Sequence, residues 1–506
     1  MFAGDPASSR LATIGRLPNA QLGKGLAHAV FESLQRFPHK VVCRDSAQDF
    51  TGQQVIENCQ AAARLYSSRV SGPTVGILLP NRALYPAAVL GAIWAGKVPV
   101  PLNPLLKPQE LDFIFNEAAI DTVVADTQTQ SVIKGLDVKC LPVNDLAAID
   151  TVSEVLPAPV ALRDTAVLLY TSGTTGRPKG VPLTHENLLS NAGGVISRLC
   201  QHGDDVILGV LPMFHAFGLM ETAIVPLLLD AEATYARFTP QRIASLITQR
   251  KATVFLGVPS MFRLLVRSKN GSAAMKSLRL AVSGGDALPA VLRDAYRHRF
   301  GKELLEGYGL TETSPVISVN TPEENKPGTV GRALPGVEIR IQGADGKLEQ
   351  PGSEGEVQIR GPNVMSGYYN RPVENLAAFT GDGWFRTGDM GFLDAEGYVT
   401  ICGRIKELIV RDGEKIMPRE VEEVLEQHPK VLEAAVVGEP DGTRGEAIIA
   451  FVVPAEQPPT AEELREFCRS KLADFKVPRR FVIAADFPRG PTGKILKRAI
   501  KDWKST

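Results

Sequence analysis

The chain has 506 residues, which is too long for a single hydrophobic core and predicts two or more domains. Its 44% hydrophobic and 22% charged residues are typical of a soluble globular protein. The 56 basic and 56 acidic side chains cancel, so the net charge does not indicate broad attraction to nucleic acid or to an anionic membrane. No apolar run approaches the roughly 20 residues that span a bilayer, and residues 1–6 do not begin a secretory signal, so we expect a cytoplasmic protein without a transmembrane segment. The six cysteines lack Cys-x-x-Cys spacing, and we expect them to be reduced.

The first part of the chain alternates apolar, strand-like runs with helical patterns. Predicted strands cover residues 74–79, 98–101 and 122–125, and predicted helices cover residues 84–94 and about 109–119. Such alternation predicts a mostly parallel sheet covered by helices. The pattern resumes downstream with strands at 206–211, 253–256 and 278–282 and helices at 240–249 and 289–300.

A loop without any large apolar side chain lies between these two stretches, at residues 171–180. It contains three glycines, four hydroxyl side chains and two cations, which are groups that suit a polyanion. It follows an apolar strand at 166–170 and precedes a predicted helix with Thr184 as its N-cap, a common setting for phosphate on backbone N–H groups. The loop is not a Walker A sequence, because no Gly-Lys-Ser/Thr occurs at the required spacing and Pro178 precedes the lysine. A solvated surface loop is the alternative interpretation.

The sequence texture changes near residue 337. Short strands at 337–341, 355–360 and 398–402 are separated by Gly, Asp and Pro, which predicts a β-rich subdomain. The last part again mixes both patterns, with strands at 408–411, 431–437, 447–453 and 481–484 and helices at 418–427, 461–472 and from about Lys494. The predicted fold class is therefore multidomain α/β, with stacked, mostly parallel sheets, helices and a β-rich subdomain in a large domain over residues 1–402. A small α+β domain over residues 408–506 follows a boundary at 403–407.

Two motifs contain side chains that could bind a ligand or take part in catalysis. His215 lies between aromatic side chains just past a strand, with no metal-ligand partner at a helical offset, so a packed histidine and a functional one both remain possible. In Gly307-Tyr308-Gly309 the glycines let the backbone close on a ligand while the ring stacks. Thr311 and Glu312 follow, offering a hydroxyl for phosphate and a carboxylate for a hard cation. A strand-end turn is the alternative for this second motif.

Three further sites are each open to a structural interpretation. Residues 283–286 form a β-α turn in which the helix dipole favours Asp286. Asp389 can accept two hydrogen bonds from vicinal hydroxyls, and the donor fork of Arg404 can complete that contact, although a solvated turn is the alternative. Lys494 stands where we predict a helix start, and a cation there opposes the helix dipole by roughly 0.3–1 kcal/mol. Helix stability therefore does not explain a lysine at this position. A solvated lysine without a function is the alternative.

Together these motifs resemble those of the adenylate-forming superfamily of acyl-CoA synthetases, adenylation domains and luciferases. The resemblance covers about residues 26–501, with the motifs in family order at 170–180, 211–218, 283–288, 307–314, 382–389, 403–404 and 488–496. It implies an acid-thiol ligase, an AMP-forming acyl-CoA synthetase. Such an enzyme uses ATP and Mg²⁺ to convert a carboxylic acid to acyl-AMP with release of pyrophosphate, and then transfers the acyl group to coenzyme A.

The resemblance also implies roles for residues by their position. Catalytic roles fall on Lys494, His215, Thr311 and Glu312, with Glu312 also holding the metal. The ATP phosphates would contact Thr171, Ser172, Gly173, Thr174, Thr175, Gly176 and Lys179. Adenine and AMP would contact Gly284, Gly285, Asp286, Gly307, Tyr308, Gly309, Asp389 and Arg404. The acyl pocket would contain Met213, Phe214, Phe217, Val258, Met261 and Val316, an apolar set that favours a fatty or aromatic acid over acetate.

In this family the small domain is mobile and Lys494 enters the site for adenylation. The resemblance implies a hinge at 403–407 with Lys406 and Glu407, where Glu407 replaces the commoner aspartate. After rotation Gly413, Glu414 and Lys415 would lie beside the CoA thiol, although Asp412 stands where many relatives have glycine. The alternatives are a ligase that loads a carrier protein or stops at acyl-AMP, a luciferase-type oxygenase, and an inactive nucleotide sensor. The sequence does not indicate which acid is used, its chain length or the oligomeric state.

Overall fold

The computed structural model describes residues 24–146, 155–171, 177–268, 274–490 and 493–501. Five predicted phosphate-loop residues lie outside these ranges: Ser172, Gly173, Thr174, Thr175 and Gly176. Within the described ranges, no helix has both the length and the hydropathy needed to cross a membrane. The predicted cytoplasmic location stays a prediction.

Helices and strands alternate through most of the chain. The strands, numbered β1 to β24 in chain order, are Val41–Arg44, Asp49–Thr51, Thr74–Leu78, Val98–Pro101, Thr122–Ala125, Lys139–Pro142, Thr165–Thr171, Lys179–Thr184, Val206–Gly209, Glu232–Tyr235, Val254–Gly257, Leu280–Ser283, Leu305–Gly309, Val316–Val319, Arg332–Ala333, Glu338–Gln342, Gly355–Arg360, Phe385–Leu393, Val399–Arg404, Ile409–Arg411, Glu414–Ile416, Val431–Pro440, Glu446–Pro454 and Arg480–Ile483. The α-helices, numbered α1 to α14, are Leu26–Leu34, Gly52–Arg69, Tyr85–Trp94, Pro108–Glu117, His185–Arg198, Ala216–Leu219, Val225–Leu229, Pro240–Arg250, Pro259–Arg267, Ala290–Phe300, Pro372–Ala378, Pro418–Glu426, Ala461–Arg469 and Lys497–Lys501. A π-helical turn, Met220–Ile224, joins α6 to α7.

Two mostly parallel sheets organise the large N-terminal part of the molecule, as the sequence predicts. The larger has the strand order β15-β14-β13-β12-β11-β9-β10-β1-β2, and the strands from β13 to β1 run parallel. The smaller, β4-β3-β5-β6, is parallel throughout. One buried apolar cluster contains side chains of both sheets, such as Ile77 of β3 and Val254 of β11. Parallel strands covered on both faces are nearly all apolar, which is why the alternation could be predicted.

Two antiparallel strands flank the glycine-rich segment, so the predicted strand-loop-helix arrangement is wrong. β7 pairs antiparallel with β8, and Thr171 lies directly opposite Lys179 in the register. The sequence obscures β8 because Gly180 and Pro182 both have low strand propensity, and only the pairing with β7 overrides it. α5 then begins as predicted, since Thr184 Oγ1 accepts a hydrogen bond from the Asn187 N–H at 3.1 Å.

The C-terminal third is richer in antiparallel strands. The predicted β-rich subdomain is the antiparallel sheet β16-β17-β18-β19. Beyond it lie the hairpin β20-β21 and the sheet β22-β23-β24, whose apolar cluster includes Val421 of α12 and Leu464 of α13. The two-domain α/β fold class is thus confirmed, while the boundary at 403–407 stays a prediction.

The predicted start of the last helix is wrong. α14 begins at Lys497, and Lys494 lies in the turn that precedes it. The turn is closed by a hydrogen bond of 2.8 Å from the Gly490 N–H to the Lys494 carbonyl. Gly493 has φ +82°, a conformation that favours glycine and interrupts a helix. A helix-dipole argument therefore does not apply to Lys494.

Candidate active site

One polar cavity lies where the C-terminal part of the chain packs on the N-terminal part. The N-terminal part contributes Asp286, Tyr308 and Asp389 to its lining, and the segments from β19 onward contribute Arg404, Glu407 and Lys494. Asp286 follows β12 and Tyr308 lies near the end of β13, and both strands belong to the larger sheet, at the edge where open α/β sheets bind ligands. Residues of distant sequence motifs, such as Asp286 and Lys494, thus share one cavity.

Asp389 and Arg404 lie opposite each other on the neighbouring strands β18 and β19. Arg404 Nε is 3.3 Å from Asp389 Oδ1, and the Tyr308 hydroxyl donates a hydrogen bond of 2.5 Å to Asp389 Oδ2. The carboxylate is 5% exposed. Its burial raises the pKa of Asp389 above the usual value, although Arg404, Tyr308 and Lys494 act in the opposite direction. The arrangement holds a buried acceptor beside a fixed cation at the cavity wall.

A second group connects the hairpin after β7 to the 3₁₀ turn Thr311–Thr313. The Lys179 ammonium lies 4.9 Å from the centroid of the Tyr368 ring, and the Tyr368 hydroxyl donates a hydrogen bond of 2.8 Å to Glu312 Oε1. Burial and the Glu312 carboxylate both raise the pKa of Tyr368. Tyr368 is not among the sequence-predicted residues, because no motif contains it. Tyr368 contacts both Lys179 and Glu312, which belong to two different sequence motifs.

The residues near Glu312 suit a magnesium ion that is bound partly by the protein and partly by substrate phosphates. Within the described ranges no cluster of three or more His, Cys, Asp or Glu side chains is positioned to hold a metal ion. Mg²⁺ commonly binds through one or two carboxylates together with substrate phosphates, and does not require an all-protein cage. A single carboxylate at Glu312, connected to Lys179 through Tyr368, suits that mode.

The turn that carries Lys494 packs directly on the N-terminal part. A Cβ atom at Gly493 would come within 2.7 Å of Ser260 Oγ on α9, so only glycine allows this approach. Glu407 also lines the cavity, and its carboxylate is 3.0 Å from the Lys497 ammonium. Burial opposes the charge on Glu407, but Lys497, Lys494 and Arg404 outweigh it and lower the pKa of Glu407. The local contacts therefore hold Lys494 at the cavity.

Ion pairs join the two parts of the chain beside this cavity. Arg263 of α9 pairs with Glu433 of β22 and lies 3.7 Å from Glu426 of α12. Arg489 pairs with the same Glu433. Burial raises the pKa of Glu426 to about 8, against the opposing effect of Arg263. Arg263 thus links the two parts of the chain through acidic side chains of the C-terminal part.

A second, apolar cavity adjoins the first one. The two share Gly285, Gly307, Tyr308 and Gly309, so the glycine-flanked tyrosine separates a polar side from an apolar one. At these positions side chains would close the space: a Cβ at Gly284 would come within 3.2 Å of the Phe217 ring. Gly285 has φ +78°, which favours glycine at this turn.

The predicted acyl-pocket residues divide into three groups. Phe217 and Val316 line the apolar cavity, and Val258 lines the polar one. Three others line neither cavity: Met213, Phe214 and Met261. Glu221, an acidic residue in the apolar lining, is not among the sequence-predicted residues, although it is a single acid within the mostly apolar run from 219 to 229.

Other predicted residues lie outside both cavities. His215 is the residue before α6 and its Nε2 has no partner within the described ranges; burial lowers the pKa of His215 to about 4, so the ring is neutral near pH 7. Gly413, Glu414 and Lys415 lie at the β20-β21 hairpin and line neither cavity. Asp412, with φ +52°, begins that turn and pairs with Arg444 at 2.6 Å. Thr171 and Lys406 do not line the cavities either.

Known proteins resemble this chain over most of its length. A family profile described as AMP-binding enzyme matches residues 30–369, and one described as AMP-binding enzyme C-terminal domain matches residues 420–494. The chain is 38% identical over 443 residues to a sulfoacetate–CoA ligase of Cupriavidus necator, covering 84% of this chain and 87% of that protein. It is 32% identical over 536 aligned residues to a long-chain-fatty-acid–CoA ligase of Bacillus subtilis, covering 96% and 94%. The solved o-succinylbenzoate coenzyme A synthetase of Bacillus subtilis, in complex with ATP and magnesium ion, superposes with a TM-score of 0.85 at 32% identity, covering 94% of this chain and 99% of that one.

Proposed function

The chain belongs to the AMP-binding enzyme family, within the adenylate-forming superfamily, as an AMP-forming acid–CoA ligase, and we propose that it activates a hydrophobic carboxylic acid with ATP and Mg²⁺. The observation that carries this proposal is the junction of the two cavities at residues 307–309, where a polar nucleotide side meets an apolar acyl side. Lys494 lines the polar side of that junction.

On the nucleotide side, charged side chains suit the ribose and the phosphates of ATP. The Asp389 carboxylate accepts hydrogen bonds from the two ribose hydroxyls, and Arg404 opposes the rise in the pKa of Asp389 that burial causes. Tyr308 stacks on adenine while its hydroxyl stays on Asp389. Lys179 and the backbone N–H groups of the hairpin bind the β- and γ-phosphates, which is consistent with the pairing of Thr171 and Lys179 at the base of that hairpin.

The first reaction is the attack of the acid on the α-phosphorus. One carboxylate oxygen of the acid forms the new P–O bond, the bond to the β-phosphate oxygen breaks, and pyrophosphate leaves. Both reactants are anions, so the site must neutralise charge more than supply a base. Lys494 bridges the carboxylate and the α-phosphate, and Thr311 donates to the same phosphate. Mg²⁺ at Glu312 supplies charge neutralisation between phosphates when it is bound.

The apolar cavity indicates the class of acid. Within the described ranges no lysine or arginine lines it, so a second anionic group on the acid would meet no cation. Its aliphatic and aromatic lining stabilises an apolar chain or ring through burial. This favours a fatty or aromatic monocarboxylic acid over a small dianion, whichever acids the relatives activate.

In the second reaction a thiol attacks the acyl-adenylate carbonyl and AMP leaves. Lys494 occupies the cavity in the described arrangement, so the small domain must first rotate about Lys406 and Glu407. The β20-β21 hairpin with Gly413, Glu414 and Lys415, which now lies outside both cavities, then moves beside the thiol. Coenzyme A is the proposed acceptor, in keeping with the CoA ligases among the relatives.

Acid-dependent exchange of pyrophosphate into ATP, measured over a panel of fatty, aromatic and short acids, tests the proposal. We expect exchange with hydrophobic acids at rates well above acetate, and an acyl-CoA product when CoA is added. Exchange only with short or dianionic acids would contradict the acid class. A product with a holo carrier protein but not with CoA would contradict the acceptor.

A further inference from the structure

Glu221 is a buried acid without a protein partner at the apolar cavity. It lies in the π-helical turn Met220–Ile224, is 1% exposed, and neither carboxyl oxygen has a hydrogen-bond partner within the described ranges. It lines the apolar cavity and not the polar one. Buried polar groups in native proteins are nearly always hydrogen-bonded, so an orphaned carboxyl at a cavity wall indicates a partner that enters the cavity.

The surroundings of Glu221 define the state of its carboxyl group. The neighbouring lining is aliphatic or aromatic and comes from α5, β11, β12 and β14: Val195, Leu199, Leu256, Val282, Val316 and Val319. Burial in this lining raises the pKa of Glu221 to about 8. The other titratable group in the lining, Tyr308, already donates its hydroxyl hydrogen to Asp389. Near neutral pH Glu221 therefore presents one O–H donor and one carbonyl acceptor to the cavity.

This pair of hydrogen-bonding atoms selects among acyl substituents. A second carboxylate would be desolvated without a cation, because none lines the cavity within the described ranges. An ammonium group would require Glu221 to ionise in an apolar lining, where a charge pair recovers little of its desolvation cost. A hydroxyl group satisfies both atoms of the neutral carboxyl without any buried charge.

We propose that Glu221 is a specificity-determining residue that hydrogen-bonds a hydroxyl group on the acyl chain or ring, remote from the reacting carboxylate. The inference rests on the proposed function and narrows its substrate class to hydroxylated hydrophobic monocarboxylic acids. The hydroxyl lies remote from the carboxylate because Glu221 lines only the apolar cavity, whereas Lys494 lines only the polar one. Sites built around a substrate hydroxyl reject the analogue that lacks it, since their own polar group is then left unpaired.

Matched pairs of acids test this assignment in the full-length enzyme. The pairs are 3-(4-hydroxyphenyl)propanoate with 3-phenylpropanoate and ω-hydroxydecanoate with decanoate, with the matching amino acids of each skeleton as a third arm. The readout is kcat/KM for acid-dependent pyrophosphate exchange. We expect the wild type to prefer the hydroxylated member of at least one pair by 10-fold or more. E221Q should keep most of that preference, and E221L should abolish or reverse it.

The ratio within a pair separates recognition from folding, because a purely structural role would lower both members equally. No preference in the wild type, or an unchanged preference in E221L, would overturn the inference. A stronger preference for the amino analogue would overturn the hydroxyl assignment. If E221L does not fold, the wild-type ratio and E221Q still decide. Absence of exchange with every acid would instead overturn the proposed function on which the inference rests.

Discussion

The carboxylate of Glu407 lies 3.0 Å from the ammonium group of Lys497, which is the first residue of the last helix, α14. Glu422 lies 2.8 Å from the same ammonium group. Burial opposes the charge on Lys497, but the two carboxylates outweigh it and raise the pKa of Lys497. The predicted hinge residue Glu407 is thus tied to the segment that carries Lys494, so the proposed rotation of the small domain would act on both together.

Changing Lys406 to proline should separate the two half-reactions. Proline fixes φ and removes an N–H group, which restricts the short turn Ile405–Glu407 as a hinge. We expect acyl-AMP formation to be nearly unchanged and thioester formation from supplied acyl-AMP to fall by about 10-fold or more, equivalent to roughly 1.4 kcal/mol. Lys406→Ala, which keeps the backbone free, is the matched control. Overall turnover that matches wild type in Lys406→Pro would count against the hinge.

Changing Asp389 to asparagine should weaken ATP binding. The amide keeps the shape but removes the charge that Arg404 contacts and that, in the proposed function, accepts hydrogen bonds from the ribose hydroxyls. Hydrogen bonds to charged groups contribute about 1.5–3 kcal/mol, so the Kd for ATP should rise roughly 10- to 150-fold. Titration calorimetry measures this directly. Asp345→Asn, on an exposed turn beside Lys347, is the control and should bind ATP as the wild type does. An unchanged Kd in Asp389→Asn would show that the ribose contact is misassigned.

Changing Arg263 to alanine should slow adenylation more than thioester formation. Arg263 joins α9 to Glu433 and Glu426, and its loss leaves Glu426 without its nearby cation. Losing about 1–2 kcal/mol of this docking corresponds to a 5- to 30-fold smaller population of the arrangement with Lys494 at the cavity. Single-turnover rates of both half-reactions measure it. Arg267→Ala, which removes a 3.2 Å contact with the Ala455 carbonyl, should have a smaller effect. Equal slowing of both half-reactions by Arg263→Ala would contradict a docking role.

Changing Glu221 to glutamine should flatten the pH dependence of stability. The pKa of Glu221 is raised from 4.5 to about 8, so between these values the folded protein holds a proton that the unfolded chain has released. The free energy of unfolding from this group therefore falls as pH rises through that window, by at most about 1.4 kcal/mol per pH unit. Calorimetric unfolding at pH 5.5, 6.5 and 7.5 should show a stability advantage of Glu221→Gln that grows with pH. A constant difference would indicate that Glu221 titrates near its usual pKa.

The sequence predicts the parallel sheets well because strands buried on both faces are continuous apolar runs, as at β3 and β12. It fails at β8, where Gly180 and Pro182 disguise a strand that exists only through its pairing with β7. It also fails at Lys494, where Gly493 and contacts with Ser260 delay the helix. Local composition carries no information about such distant partners.

The same limit applies to the candidate site. Contiguous motifs identify Tyr308 and Asp389, and the structure brings them into contact. Tyr368 belongs to no motif, and its position between Lys179 and Glu312 depends on three distant segments. In the sequence, Glu221 is a single acid within an apolar run. Its position at the apolar cavity is visible only in the structure, and that position is the basis of the proposed role.

The proposal that Lys494 acts in acyl-AMP formation but not in thioester formation is tested most directly in the Lys494→Ala variant. Lys494 lines the polar cavity, and we expect its loss to abolish acyl-AMP formation from acid and ATP. Thioester formation from supplied acyl-AMP and CoA should remain close to wild type, because in the proposed function Lys494 leaves before the thiol enters. Lys347→Ala, an exposed lysine on a distant turn, is the control and should leave both rates unchanged. Equal loss of both half-reactions in Lys494→Ala, or unimpaired acyl-AMP formation, would contradict the account.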